Sequence, residues 1–194
     1  MAGKEKQRHA RRERMIRWMS VGVALVVAGL ILWGLLASRA SAPGKLAGDT
    51  TLPDFYGLAG QPLANFTLTD LTNKRVALSD FRGQRVLLNF WYVACAPCRE
   101  EMPDLETFSH QMQGQHIAVL GINIQDDPLT ASEFLQQLGI TYAVALDPHQ
   151  RVFDYYHLTS TPSSILIDSQ GIIRGSVSGP LSLKQLQTYF GAIH

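Results

Sequence analysis

An apolar run, Val86 to Val93, brings the chain within two residues of Cys95-Ala96-Pro97-Cys98, and no other feature limits the possible folds as tightly. A strand apolar on both alternating faces, interrupted here only by Asn89, must be covered on both sides, which makes it an inner strand of an α/β sheet. The next stretch has the marks of a helix over Pro97 to Met112. Pro97 suits a first turn because its missing N–H costs little there, and Met102, Leu105, Phe108 and Met112 recur at spacings of three and four before Gly114 closes it. Glu100 and Glu101 supply acidic residues to its first turn. The only two cysteines of the 194-residue chain therefore sit where a central strand turns into a helix.

That position sets their chemistry. Unsatisfied N–H groups and the dipole at a helix start favour a thiolate at Cys95, while Cys98 lies one turn further in. Cys95 is the expected nucleophile toward a partner's disulfide, and Cys98 the thiol that resolves the mixed disulfide at high effective concentration. Pro97 stiffens the loop between them. Pro103, inside the helix, removes the hydrogen bond to the Arg99 carbonyl and is expected to kink the axis. A purely structural disulfide is disfavoured because a bond across two residues restrains the unfolded chain little. A zinc site using Cys95, Cys98, His110 and His116 is disfavoured by distance, so no metal ligand is assigned. Along an unbroken helix Cys98 and His110 stand about 18 Å apart, against metal–ligand distances of about 2.0–2.3 Å.

The rest of the pattern alternates. A second buried strand, Ile117 to Ile124, leads to a helix at Leu129 to Leu138 ended by Gly139. A strand around Tyr142 to Leu146 and a helical stretch from Pro148 to His157 follow. Ser164 to Ile167 and Ile172 to Ser176, joined by Asp168 to Gly171, form an antiparallel hairpin, and Leu181 to Ile193 a last amphipathic helix. Upstream, Phe66 to Leu68 and Val76 to Leu78 flank Asp70 to Lys74 as a short hairpin. The expected fold is α/β, a mixed central sheet flanked by helices with an N-terminal hairpin extension, over residues 63–194.

Charge is unevenly spread. Lys4, Lys6, Arg8, Arg11, Arg12, Arg14 and Arg17 crowd residues 1–17 against Glu5 and Glu13, whereas residues 18–37 carry no charge. That second segment is long enough to cross a hydrocarbon core of about 30 Å, with Trp18 and Trp33 near its ends and Arg39 at its exit. Basic residues stay on the cytoplasmic side, so the N-terminus is expected inside and everything beyond Ala40 outside. Ser38-Arg39-Ala40 and Ala40-Ser41-Ala42 offer the rival reading of a cleavable signal sequence, but the apolar run exceeds the ~7–15 residues of a typical signal core. Either reading exports the domain. Residues 38–62, rich in Gly, Pro, Ala and Thr, read as a tether. With 17 basic and 16 acidic residues overall, nothing suggests nucleic acid.

Asn89-Phe90-Trp91-x3-Cys95-x-Pro97-Cys98-Arg99-Glu100-Glu101-Met102-Pro103, with Thr161-Pro162 ahead of a strand, resembles the TlpA/ResA branch of the thioredoxin superfamily, which includes CcmG. The resemblance covers about Leu63 to His194. It implies a thioredoxin-like fold and a protein-disulfide reductase, single-pass in the cytoplasmic membrane of a bacterium, its catalytic domain on the periplasmic face. Position by position, Pro162 matches a proline with a cis peptide bond beside the disulfide, the alternative being an ordinary trans loop proline. The Thr161 backbone would offer strand-like hydrogen bonds to an extended substrate segment. Thr161, Pro162 and Pro97 make the expected substrate-binding set.

Asn89 stands where cytoplasmic thioredoxins have a buried aspartate. Glu101 matches an acidic residue near the cysteines that either moves the proton of Cys98 or is a solvated charge on the first turn; both readings stay open. Trp91 reads as a packing residue. Ala94 departs from the Trp that many relatives carry before the first cysteine, which bears on substrate preference and leaves the exchange chemistry intact. The implied partners are a protein disulfide substrate, often the haem-binding cysteine pair of apocytochrome c, and a membrane thiol transporter as electron donor; no cofactor is implied. Two other functions remain. A thiol peroxidase of the peroxiredoxin type would need Pro and Thr where Leu88 and Tyr92 stand. A Sco-type copper chaperone would bind Cu(I) through soft thiolates, but spaces its cysteines one residue wider and adds a distant His, for which His157 is the nearest candidate.

Overall fold

The computed structural model describes residues 52–193. The basic stretch 1–17, the apolar span 18–37 and the tether as far as residue 51 lie outside the described residues, within which no helix is long and apolar enough to cross a membrane.

Seven strands form one mixed sheet: β1 (Thr67–Asp70), β2 (Arg75–Ala77), β3 (Arg85–Trp91), β4 (Ile117–Asn123), β5 (Ala143–Leu146), β6 (Ser163–Ile167) and β7 (Ile173–Ser178), in the spatial order β2-β1-β5-β4-β3-β6-β7. β3 runs parallel to β4 and antiparallel to β6, so the strand that delivers the cysteines is an inner one, as its apolar run requires. The helices are α1 (Ala96–Gln111), α2 (Pro128–Leu138), α3 (Arg151–Tyr155) and α4 (Leu183–Ala192).

The period-2 alternation of β3 sorts its side chains between two cores. Leu87 and Trp91 pack with Met102, Leu105 and Phe108 of α1, Phe134 and Leu135 of α2, and Leu186 and Phe190 of α4. Val86, Leu88 and Phe90 face the opposite way, toward Val152 and Phe153 of α3 and toward Leu58 of the lead-in. Asn89 has the parity of Leu87 and Trp91, which puts the one polar residue of the run beneath α1.

Four details differ from the sequence expectation. Residues 52–62, read as the end of the tether, are packed on the sheet: Asp54 bridges to Ser176, Pro62 to Ile172, and Leu58 is buried. Gly175 makes room for them, since a Cβ there would stand 2.5 Å from the Pro53 carbonyl oxygen. The helix expected from Pro148 to His157 shrinks to Arg151–Tyr155 because the Asp147 carboxylate accepts the N–H groups of Arg151, Val152 and Phe153, and Gln150 is left-handed at φ 56°. Leu78 leaves the strand for a single 3-10 turn, Leu78–Phe81, begun by the Ala77 N–H donating to Asp80. Finally, α1 starts at Ala96, so neither Glu100 nor Glu101 lies in its first turn.

Candidate active site

Cys95 is the N-cap of α1, with extended backbone, and its Sγ accepts a hydrogen bond from the Cys98 N–H at 3.2 Å. A helix start whose free N–H points at sulfur stabilises negative charge there, which is the environment of an attacking thiol. The two cysteines are joined in a disulfide, with Cα atoms 5.3 Å apart. Cys95 is 4 % exposed and Cys98 fully buried, while Ala94, Ala96 and Pro97 around them are exposed. Access therefore reaches Cys95 first.

The turn from β3 into α1 is held from outside by residues the sequence reading missed. The Cys95 N–H donates to the Tyr92 carbonyl, and the Val93 N–H to the Asp126 carboxylate at 2.7 Å. The same Asp126 oxygen accepts from the Asn123 side chain at 2.8 Å. An acidic residue three after the end of a neighbouring parallel strand was the available signal, although nothing local tied it to Val93. Trp91 is a packing residue, as expected: it is buried and stacked on Phe134, with ring centroids 5.7 Å apart. The Arg99 guanidinium lies over the same Phe134 ring at 5.1 Å, close enough for a cation–π contact.

Glu101 is buried, which removes the solvated-charge reading. It sits three residues after Cys98 on the same face of α1. Its Oε1 accepts from Asn89 Nδ2 at 2.7 Å and its Oε2 from the Leu181 N–H at 2.8 Å, and Asn89 Nδ2 also donates to Ser164 Oγ at 3.2 Å. Among the described residues no cation pairs with it. Burial pushes its pKa up to about 7, against the opposing pull of the Leu181 and Asn89 hydrogen bonds. A carboxyl poised there changes its proton at neutral pH.

Opposite the cysteine loop, the Thr161–Pro162 peptide bond is cis. The register Phe90↔Ser163 carries Pro162 to the end of β3 from which Tyr92 to Cys95 depart. The Pro162 carbonyl accepts from the Gly179 N–H at 2.8 Å, whereas the Thr161 N–H and carbonyl make no hydrogen bond among the described residues. An extended peptide has a free donor and acceptor to pair with there.

The histidines stand apart from this site. His110 is paired with Glu106 at 2.8 Å in the last turn of α1, His116 follows that helix at φ 54°, and His157 is an exposed residue just beyond α3. Among the described residues no three His, Cys, Asp or Glu side chains converge as a metal site would need.

The chain is similar to known proteins over this domain. The profile of the AhpC/TSA family matches residues 59–176. The thiol-disulfide oxidoreductase ResA of Bacillus thuringiensis (strain Al Hakam) is 30% identical over 134 residues, covering 69% of this chain and 78% of its own length. ResA of Bacillus subtilis (strain 168) is 29% identical over 134 residues, covering 69% and 75%. In the solved structures, a Chlorobium tepidum protein described as a thiol:disulfide interchange protein DsbE superposes with a TM-score of 0.65 at 27% identity, covering 70% of this chain and 98% of that one. The relatives are named for thiol-disulfide exchange, and the chain is a thiol-disulfide oxidoreductase. Since the profile spans more than half of the chain and the alignment with ResA more than two thirds, the chain belongs to the AhpC/TSA family and, within the thioredoxin superfamily, to its ResA-like branch.

Proposed function

We propose that the chain is a membrane-tethered protein-disulfide reductase whose catalytic domain works on the extracytoplasmic face of a bacterial cytoplasmic membrane. Cys95 thiolate attacks a client disulfide, forming the Cys95–client bond and releasing one client thiolate. Cys98, having lost its proton, then attacks Cys95 Sγ, so that the second client thiolate leaves and the client has gained two electrons. The Cys95–Cys98 disulfide is the oxidised product of that cycle, and a membrane thiol donor returns it to the dithiol.

The observation that carries the reducing direction is the buried carboxyl of Glu101 on the Cys98 face of α1, with no cation paired to it among the described residues. A negative charge beside Cys98 disfavours the Cys98 thiolate, so the reduced pair is stabilised at Cys95 alone, which keeps the dithiol more reducing than one with both thiolates stabilised. The same carboxyl, titrating near neutrality, takes the Cys98 proton before the resolving step. Thr161 and Pro162 dock the client by strand pairing, with Pro97 on the exposed side of the disulfide. The apocytochrome c cysteine pair is the client we favour, on the family resemblance; the missing indole at Ala94 leaves room beside Cys95 for a bulky client.

The test has two parts, both on the full chain. Equilibration with a thiol buffer of known poise is expected to give a potential toward the thioredoxin end, about −270 mV, and a value near −120 mV would make the protein a disulfide donor instead. In native membranes, Cys98→Ser should accumulate mixed disulfides through Cys95 that identify the client and, by their side of the membrane, the location.

A further inference from the structure

The lead-in that the sequence reads as tether is tied to the sheet by Asp54, whose Oδ1 accepts from Ser176 Oγ at 2.7 Å and from the Leu58 N–H at 2.9 Å. The Phe55 N–H donates to the Ser176 carbonyl and the Tyr56 N–H to Ser176 Oγ, both at 2.9 Å. These bonds aim the Tyr56 side chain along β7 toward the Thr161–Pro162 loop, where its hydroxyl meets Ser163 Oγ at 2.7 Å and Ser160 Oγ at 3.2 Å. Ser160 Oγ in turn meets Ser178 Oγ at 2.7 Å, and Ser163 Oγ donates to the Ser160 carbonyl at 2.6 Å.

Counting protons orders this cluster. Four contacts are served by four hydroxyl protons, and one of the acceptors is a carbonyl that can only accept. The Ser163 proton is committed to the Ser160 carbonyl, so Tyr56 must donate to Ser163. Ser160 must then donate to Tyr56, and Ser178 to Ser160. One arrangement satisfies every contact, and it runs in one direction from β7 through Tyr56 to the backbone ahead of the cis bond.

Ser160 and Ser163 bracket Thr161 and Pro162 in the chain, and among the described residues Tyr56 is the one side chain whose hydroxyl bonds to both hydroxyls. We propose that Tyr56 is a positioning residue for client docking: its hydroxyl clamps the Ser160–Ser163 segment so that the Thr161 N–H and carbonyl, which have no partner among the described residues, are presented in strand geometry. It touches neither cysteine and acts only through the loop. This rests on the reading of Thr161 and Pro162 as the docking edge. Clamping lowers the ordering cost of pairing with a peptide, and it does nothing for a small disulfide that needs no strand.

The experiment compares two oxidised substrates on the full chain: a synthetic peptide closed by a Cys-x2-Cys disulfide, and 5,5′-dithiobis-(2-nitrobenzoate), too small to pair as a strand. Tyr56→Phe keeps the ring and deletes the clamp. It should raise KM for the peptide about three- to tenfold, with kcat and the rate with the small disulfide unchanged, the loss expected for one or two hydrogen bonds. Ser178→Ala, which cuts the chain at its far end and leaves Tyr56 in place, should shift the peptide KM in the same direction by less. Equal losses with both substrates would make Tyr56 merely structural, and an unchanged peptide KM would remove the clamp. Thr161→Arg separates the two ideas. If it blocks the peptide and Tyr56→Phe does not, only the clamp fails; if it leaves the peptide unaffected, the docking edge itself is wrong and the clamp falls with it.

Discussion

Two polar networks, one buried and one half-buried, reach the cysteine end of the sheet. Under α1, Glu101, Asn89, Ser164 and the Leu181 N–H form one; behind the Thr161–Pro162 loop, Tyr56, Ser160, Ser163 and Ser178 form the other. In the second, every hydroxyl proton has a place and the arrangement is closed. The first is left open: both Glu101 oxygens receive donors, and Asn89 Oδ1 is buried without a partner. When Glu101 takes up a proton, its O–H needs an acceptor, and rotation of the Asn89 amide supplies one. The carboxyl network therefore holds an unused buried acceptor for an added proton, whereas in the hydroxyl network every proton is already placed.

Five substitutions test that contrast and the site around it, in order of expected effect. Cys95→Ser should abolish exchange with any disulfide, and Cys98→Ser should stop after one attack, leaving a stable mixed disulfide visible on a non-reducing gel. Glu101→Gln should slow the resolving step about 10²-fold at pH 7 and flatten its pH dependence, because the wild-type base acts only once it has lost its proton, so the rate rises with pH through about 7. Stopped-flow kinetics from pH 5 to 9 reads this out.

The same group has a stability signature. Its folded pKa is raised from 4.5 to about 7, so between those values the folded protein holds a proton that the unfolded chain has released. Stability contributed by Glu101 is therefore present at low pH and lost as pH rises through 7, about 3 kcal/mol in all. Denaturant unfolding at pH 4.5 and pH 8 should show this fall in the wild type and lose it in Glu101→Gln. Asp126→Ala should cost about 1–3 kcal/mol by stranding the Val93 N–H, with the pH dependence of unfolding retained. The smallest effect belongs to the closed network. Ser178→Ala should cost about 0.5–1.5 kcal/mol and add no pH dependence between 5 and 8; a slope there would show that the hydroxyl chain titrates after all.

The strands and the cysteine junction were legible because their signals are local: the apolar run of β3, the N-cap at Cys95 and the Gly139 stop each lie within one element. Cis Pro162 was reached through resemblance to a family, since nothing around Thr161-Pro162 in the chain distinguishes it from a loop proline. The burial of Glu101 was not legible because its partners come from two other places in the chain, Asn89 on β3 and a Leu181 N–H eighty residues away, with Ser164 on β6 holding Asn89 in turn. Tyr56 was lost for the same reason, in a segment without periodicity whose bonding partners lie more than a hundred residues on. The shortening of α3 shows the converse, with the Asp147 side chain capturing backbone groups that propensity assigned to an earlier helix start.

The central claim is the division of labour between Cys95 at the helix cap and Cys98 beneath it, beside Glu101. It is tested most directly by alkylating the reduced full chain with iodoacetamide across pH 4 to 9 and locating the label by mass spectrometry. The account predicts that Cys95 is modified first at every pH, with a midpoint below the ordinary thiol value of about 8.5, and that Cys98 stays protected until the protein unfolds. Labelling of Cys98 as fast as Cys95, or a Cys95 midpoint at or above that value, would contradict it.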